Sequence, residues 1–541
     1  MTSIITSKKA GRSTSGGSVA FVGAGPGDDG LLTLRAVERL GEADVVVVDQ
    51  FPRETIIARY CRPEVEVLDA GFGEDGQPMT RAGRAKVVVT AARTGARVVR
   101  LMDGDPATFT GLAEEIQACR KQSLPFEVVP GVSAASAVPA YAGVPLTPAG
   151  VSGVHVLYPH GEVVDWKLHA STGTTVVVLG AEEDIAGAGE GLLEAGRKPQ
   201  TPVVVTANGT TTRQRSISCS LGELGLALAA AKLEKPMTAV VGEAAALREK
   251  ASWFETKPLF GWRVLVPRTK QQAGGIVSGL ADHGATAQVV PTISVEPPRT
   301  PHQMEKAVKG LVTGRYEWIG FTSVNAVRAV REKFEEFGLD ARAFAGLKVA
   351  AVGGVTAAAL RDWGIEPDLM PAENQSALGL LECWPPYDEV LDPINRVFLP
   401  RADIATDTLV AGLEQNGWEV DDVTAYRTVR AAPPPAETRE AIKSGHFDAV
   451  VFTSSSTVRN LVGIAGKPHS TTVVACIGPQ TAKTAEEHGL RVDVLAAEPS
   501  AEALVAALAE YGAGLRLSAD EAGEPVLRPS QRKGSARRNA K

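Results

Sequence analysis

An α/β architecture along the whole chain is what the sequence predicts, and three observations carry that reading. Short apolar strands alternate with helical segments from Val19 onward. Glycines and hydroxyl residues stand directly after several of those strands. The stretch from about Gly261 to Leu515 repeats its own strand–helix order. A chain of 541 residues is too long for one hydrophobic core, so roughly three or four domain-sized units are expected.

The first strand is Val19–Gly23, followed by the loop Gly23-Ala-Gly-Pro-Gly-Asp28 and a helix over Leu31–Leu40, with Thr33 or Asp29 as its cap. The run Asp44–Asp49 is apolar without alternation, as strands buried on both faces tend to be. Further strands follow at Arg97–Leu101, Phe126–Val129, Thr175–Leu179 and Pro202–Thr206, with helices at Leu112–Arg120 and Glu182–Ala195. Composition turns mixed over Lys250–Trp262, where Pro258 and Gly261 precede a new strand, Arg263–Pro267, and a domain boundary is expected there.

The repeat then begins. Arg263-Val-Leu-Val-Pro-Arg268 matches Arg396-Val-Phe-Leu-Pro-Arg401, and Trp318-Ile-Gly-Phe-Thr-Ser323 matches Ala449-Val-Val-Phe-Thr-Ser454. Val349–Gly353 with Thr356 matches Val474–Gly478 with Thr481. A constant order at a period of roughly 130 residues argues for two copies of one βα unit. The copies are expected to form two lobes around a cleft. Whether the lobes follow one another or cross, by way of connections near Pro297 and Arg427–Pro433, periodicity leaves open.

Hydroxyls and glycines after strands either cap helices or present free N–H groups to an anion. Thr322, Ser323, Gly353, Thr356, Thr453, Ser454, Gly478 and Thr481 are therefore candidate substrate contacts, with Arg268 and Arg401 as bidentate carboxylate partners. Together they point to a polyanionic ligand.

Composition narrows the classes. The formal net charge is −7 and aromatics make up 5% of residues, which argues against nucleic-acid binding. The five cysteines contain no CxxC pair, so no metal site is expected, and buried thiols in a reducing cytoplasm are the simple reading. Met1–Ser18 lacks the apolar core of a signal peptide, and prolines interrupt the uncharged stretch Val128–Val154, so no membrane segment is expected. Residues 516–541 are read as a disordered basic tail, with six basic residues between Arg528 and Lys541.

Residues Gly261–Leu515 resemble uroporphyrinogen-III synthase. The likeness rests on Phe321-Thr-Ser-Val-Asn-Ala326, Val352-Gly353-x-x-Thr356, Leu399-Pro-Arg401, Val423-Thr-Ala-Tyr-Arg427, Phe452-Thr-Ser454 and Ile477-Gly-Pro-Gln-Thr-Ala482 in that order. The resemblance implies two α/β lobes joined by a two-stranded ladder, lobe A being about 261–296 plus 428–512 and lobe B about 298–425. It implies closure of hydroxymethylbilane to uroporphyrinogen III, with inversion of the last ring and no cofactor. The family's tyrosine corresponds to Tyr426, the expected donor to the leaving hydroxyl.

Residues 18–256 resemble uroporphyrinogen-III C-methyltransferase and the wider tetrapyrrole methyltransferases. The likeness is carried by the Gly23–Asp28 loop, Val98–Leu101 leading to Gly104-Asp-Pro106, Glu127–Ser133, Pro139-Ala-Tyr-Ala-Gly-Val-Pro-Leu-Thr147 and Gly209–Arg215. It implies S-adenosylmethionine bound between two α/β lobes, near Pro26, Gly104, Asp105, Thr108, Ser133, Ala134, Leu179, Ala207 and Thr238. It also implies methylation at C2 and C7 to precorrin-2, and a homodimer through this half. Asp49, ending the second strand, either orients a pyrrole N–H or caps a helix. The chain departs from the family's Leu-Lys-Gly-Gly-Asp-Pro at Met102 and Asp103, and lacks the arginine that follows it. Two alternatives stand beside the bifunctional reading: a synthase carrying a silent methyltransferase-like half, and a non-enzymatic two-lobed binding protein.

Overall fold

The computed structural model describes residues 16–49, 54–73, 76–404 and 407–532. The expected polar N-terminal stretch lies almost wholly outside them, as do residues 533–541 of the basic tail. The chain forms two compact units. The first extends to Trp262 and takes in Leu280–Thr286 and Gly512–Glu524; the second holds Arg263–Gly279, Ala287–Tyr511 and the residues from Pro525.

The first unit contains two five-stranded sheets. One is built from β1 (Ser18–Gly23), β2 (Val45–Val48), β3 (Glu66–Asp69), β4 (Arg97–Met102) and β5 (Phe126–Val129), in the order β3-β2-β4-β1-β5 with every pair parallel. Alternate residues explain why its strands are apolar throughout: Val19 and Phe21 enter one core, Ala20 and Val22 the opposite one. The other sheet holds β6 (Gly153–Leu157), β7 (Thr174–Gly180), β8 (Pro202–Ala207), β9 (Arg215–Ser220) and β10 (Met237–Val241), in the order β6-β7-β10-β8-β9, with β10 antiparallel to both neighbours.

The first helix begins later than its sequence pattern suggests. Asp28 caps a short 3-10 turn over Asp29–Leu31, and Thr33 then caps Leu34–Glu42 by accepting from the Ala36 N–H at 3.2 Å. Two successive caps divide what reads as one apolar run.

The second unit also carries two sheets. Its strands are β11 (Arg263–Val266), β12 (Thr286–Val289), β13 (Ile293–Glu296), β14 (Trp318–Phe321), β15 (Lys348–Ala351), β16 (Arg396–Ala402), β17 (Glu419–Arg430), β18 (Ala449–Phe452), β19 (Val473–Cys476) and β20 (Val494–Leu495). They are ordered β12-β11-β18-β19-β20 and β13-β17-β16-β14-β15. The lobes therefore cross, and neither sequence repeat is itself a lobe. One sheet joins the first strand of the first copy, β11, to β18 and β19 of the second. The other joins β16 of the second copy to β14 and β15 of the first. The passage between sheets is the antiparallel pair β13–β17, with Glu296 opposite Arg427.

The last helix, Ala501–Ala522, corrects the expected tail. Leu504, Val505 and Leu508 are buried, and no proline or glycine follows Gly514 until Gly523, which has φ of +63°. The helix thus continues past Leu515, and the Arg516 guanidinium donates to the Glu255 carbonyl at 2.9 Å. Among the described residues no helix is long and apolar enough to cross a membrane. Cys119 and Cys476 are buried, and burial pushes the Cys476 thiol up to about 12; Cys383 is exposed, contrary to the uniform burial expected.

Candidate functional sites

In the second unit, strand–cap–helix junctions set the geometry. Ser323 follows β14 and accepts from the Ala326 N–H at 3.1 Å, starting the helix Val324–Glu336. Ser454 plays the same part after β18 for the helix Ser455–Ala465. Gly353 and Gly478 stand at the matching positions after β15 and β19.

A cavity of about 990 Å³ opens beside the β13–β17 ladder. Arg268, Thr269 and Gln272 line it from the region after β11, while Val324, Asn325 and Arg328 line it from the helix after β14. Tyr426 lines it from β17, and its hydroxyl lies 2.9 Å from Ser323 Oγ. Ser323 Oγ accepts from a backbone N–H and keeps one lone pair and its own proton, so either hydroxyl can donate to the other; when Ser323 donates, the phenolic proton is left for another acceptor. Arg268 is half-buried and has no acidic partner among the described residues; burial alone pulls its pKa down. A desolvated guanidinium without a counterion, facing a cavity, is a place for a carboxylate.

Several expected contacts are placed elsewhere. Arg401 is 4% exposed and its guanidinium is ion-paired with Asp422, Nε to Oδ1 at 2.7 Å. The Asp422 hydrogen bonds raise its pKa despite burial. It braces β16 against β17. Thr356 and Thr481 are also buried. Each lies three residues after its cap, on the inward stripe of its helix: Thr356 with Ala357 and Leu360, Thr481 with Thr484 and Ala485. Gly353 is covered by Gln375, whose Oε1 accepts from the Gly354 N–H at 3.0 Å, whereas a Cβ on Gly478 would meet nothing within 4 Å. Thr322, Thr453 and Ser454 are half-buried and, with Gly478, do not line the Tyr426 cavity. Sequence reasoning missed Gln375 and Arg328. Gln375 sits in an ordinary polar stretch that only folding brings to the Gly354 helix start, and Arg328 reads as the solvated face of its own helix.

In the first unit, three glycines let backbones meet. A Cβ on Gly131 would stand 2.1 Å from the Gly104 carbonyl oxygen, and one on Gly23 2.5 Å from the Gly131 Cα. Gly25 and Gly104, both at positive φ, pair across an isolated bridge. The loop carrying Pro26 is pinned to the other sheet: the Asp28 N–H donates to Thr210 Oγ1 at 3.0 Å, and Tyr141 Oη donates to Asp28 Oδ2 at 2.8 Å. Gln214 and Arg248 extend this network to Glu255. The Gly209–Arg215 and Pro139–Gly143 motifs thus hold the two sheets together.

Asp105 accepts from the Gly131 N–H and from Thr108 Oγ1 at 3.4 and 3.3 Å, while Ser133 caps the helix Ala134–Tyr141. A Cβ on Gly104 would lie 3.7 Å from the Ala134 nitrogen, so Gly104, Asp105, Ser133 and Ala134 form one cluster. On the second sheet Thr238 pairs with Leu179, and the adjacent Met237 pairs with Ala207.

Asp49 is not a free carboxylate. Both its oxygens accept from Arg100 Nη2, at 2.9 and 2.8 Å. Arg100 is fully buried and also pairs with Glu115, itself 1% exposed, at 3.0 Å. Burial works against the Arg100 charge, but Glu115 and Asp49 more than offset it and raise its pKa. Burial raises the Glu115 carboxyl in turn. Met102 is 1% exposed and packs in the core with Phe21 and Cys119, whereas Asp103 is exposed. The side chain at 102 therefore packs in the core, while Asp103 lies at the surface.

Two family models match the chain: Tetrapyrrole (Corrin/Porphyrin) Methylases over residues 18–225, and Uroporphyrinogen-III synthase HemD over residues 274–506. The porphyrin biosynthesis protein HemD of Ruminiclostridium josui is 32% identical over 509 residues, covering 92% of this chain and 99% of that protein. A siroheme synthase of Tolumonas auensis is 38% identical over 244 residues, 44% of this chain; the chain matches 52% of its length. The solved uroporphyrin-III C-methyl transferase of Thermus thermophilus, complexed with S-adenyl homocysteine, is 31% identical, with 43% of this chain and all of that one covered, at a TM-score of 0.36.

Proposed function

This chain belongs to the family of the porphyrin biosynthesis protein HemD, with a tetrapyrrole methylase domain followed by a uroporphyrinogen-III synthase domain, and on that premise we propose that it makes uroporphyrinogen III and methylates it. The synthase half closes hydroxymethylbilane without a cofactor. The methylase half uses S-adenosylmethionine at C2 and C7 to give precorrin-2. The observation that carries the synthase reading is the Tyr426 hydroxyl, 2.9 Å from Ser323 and lining a 990 Å³ cavity that also holds Arg268.

In the synthase half, Tyr426 donates its hydrogen bond to the departing hydroxyl of the bilane while the terminal pyrrole pushes electrons toward the breaking C–O bond. The hydroxyl leaves as water with the Tyr426 proton, and the terminal pyrrole N–H gives up its proton to the phenolate as the azafulvene forms. Ser323 holds the phenol in place, and Arg268 binds a substrate carboxylate. The cavity walls fold the bilane so that ring inversion precedes closure, which is a task of orientation rather than acid–base strength. Water excluded by those walls cannot trap the reactive carbon.

In the methylase half, the residues near Gly104 suit S-adenosylmethionine chemically. Asp105 is an anion for its ammonium group, half-buried Leu179 is an apolar neighbour for its adenine, and Gly104 leaves room that a larger side chain would fill, whereas the Ala207 side chain is 1% exposed in the core and can offer only its backbone. When bound, that cofactor supplies an electrophilic methyl group. The chain's part is to align the pyrrole carbon with it. Asp49 acts through Arg100, positioning the strand end rather than touching a proton.

Anaerobic incubation with hydroxymethylbilane, with and without S-adenosylmethionine, tests both halves. The type III isomer is expected in each case, gaining two methyl groups only when the cofactor is present. The type I isomer alone would refute the synthase reading, and an unmethylated product the methylase reading. Tyr426→Phe removes one neutral hydrogen bond and is expected to slow closure about tenfold.

A further inference from the structure

We propose that Phe109 and Tyr158 form an aromatic clasp in the methylase unit that grips a pyrrole ring of the tetrapyrrole. The inference rests on the methyl-transfer reading and adds to it the residues that position the acceptor. Phe109 is a non-glycine residue at φ of +61°, in the left-handed region, and the residue remains 50% exposed. That conformation costs a bulky side chain on the order of 1 kcal/mol, and it persists only where surroundings enforce it. Burial does not repay the cost, because the residue stays half in water.

What the strain secures is a contact between residues that follow strands of the two sheets. Phe109 follows the C-terminal end of β4 in the first sheet, and Tyr158 follows the C-terminal end of β6 in the second. Their ring centroids are 5.8 Å apart at an interplanar angle of 38°, and Tyr158 is itself 41% exposed. Tyr158 is fixed from behind. His160 lies 5.9 Å from it, and His160 Nδ1 is 3.2 Å from Asp184 Oδ1. The other Asp184 oxygen accepts from the Ala181 N–H at 2.8 Å, at the start of the helix Glu182–Glu194.

The clasp stands beside the cofactor positions on both sheets. Phe109 adjoins Thr108. Leu157, just before Tyr158, pairs with Val178, just before Leu179. The other junction between the sheets, Asp28 with Thr210, lies beyond β7 and β10 in the second sheet, so the two junctions flank Leu179 and Thr238. Two tilted, half-exposed rings at this place offer faces to a neutral, electron-rich ring, as pyrrole is. Aromatic pairs of this kind contribute about 1 kcal/mol beyond area.

Kinetics of the full chain with uroporphyrinogen III and S-adenosylmethionine, alongside thermal unfolding, test the clasp. Phe109→Gly removes the ring and the strain together. It is expected to raise the KM for uroporphyrinogen III about tenfold, leave the KM for the cofactor unchanged, and leave the unfolding midpoint equal or higher. Tyr158→Leu is expected to raise the same KM, and Tyr158→Phe to restore it. An unchanged tetrapyrrole KM in Phe109→Gly overturns the clasp. So does a rise in both KM values with a lower midpoint, which marks a staple between sheets. If the unaltered chain neither methylates uroporphyrinogen III nor quenches its fluorescent oxidised form, the methyl-transfer reading fails, and the clasp with it.

Discussion

Replacing Glu115 by alanine isolates the energetics of the buried ion network in the methylase unit. Arg100 has no exposed surface, Glu115 has 1%, and their contacts lie at 3.0 and 3.3 Å. Removing one partner of such a pair leaves a charge in a poorly polarisable interior, a loss of about 3–5 kcal/mol. Asp49 keeps both its oxygens on Arg100 Nη2, so the lower end, about 3 kcal/mol, is expected. Replacing both residues by apolar ones, Arg100→Met with Glu115→Leu, is expected to recover part of that loss, because the desolvation of two ions vanishes with their attraction while Asp49, 24% exposed, gives up Arg100 and keeps Arg84 at 3.8 Å. A chain of two units does not unfold in one step, so the cost at one buried network is read locally, within its own unit. Hydrogen exchange resolved to the segment 97–121, followed through a urea series, reads the local stability. A Glu115→Ala cost under about 1 kcal/mol, or a double variant less stable than the single one, would refute the argument that burial governs this pair.

Three further outcomes follow from particular contacts. Gly131→Ala puts a methyl group 2.1 Å from a backbone oxygen that cannot swing away, and is expected to cost about 3 kcal/mol or prevent folding of the first unit, read by circular dichroism and exchange. Arg268→Gln is expected to raise the KM for hydroxymethylbilane about tenfold with little change in stability, whereas Arg401→Leu is expected to lower stability and leave that KM alone; the reverse pattern would restore Arg401 as the ligand contact. The Arg97 hydrogen bond, with help from Arg62, holds the Asp44 carboxyl well below the usual carboxylate range. Its contribution is therefore present above the unfolded value of about 4 and is lost as pH falls toward the folded one. The stability gap between the unaltered chain and Asp44→Asn should narrow below that pH, and salt should shrink it, since the side chain is 37% exposed.

Strand positions in the first sheet were legible because both its faces are buried: a run such as Val45–Val48 has no other economical conformation between two helical layers. The repeat was legible too, as matched strings in a matched order. Its spatial meaning was not. Periodicity reports which segments are alike, while hydrogen bonding decides which segments are neighbours, and β11 pairs with β18 rather than with β14 of its own copy.

By itself the amino-acid order determined the local events: where strands end, which serine or glycine begins each helix, and which loops need glycine to turn. Those depend on neighbours within a few residues. Only the tertiary structure decided which of the polar groups at those ends meet a cavity. Arg268 and Arg401 occupy equivalent places in the repeat, yet Asp422 claims one and leaves the other to the cavity. Arg100 claims Asp49 in the same way, while Thr356 and Thr481 fall on the inward stripes of their helices. The cost of an unpaired charge or hydroxyl is set by everything packed around it, and that surrounding is assembled from residues far apart in the chain.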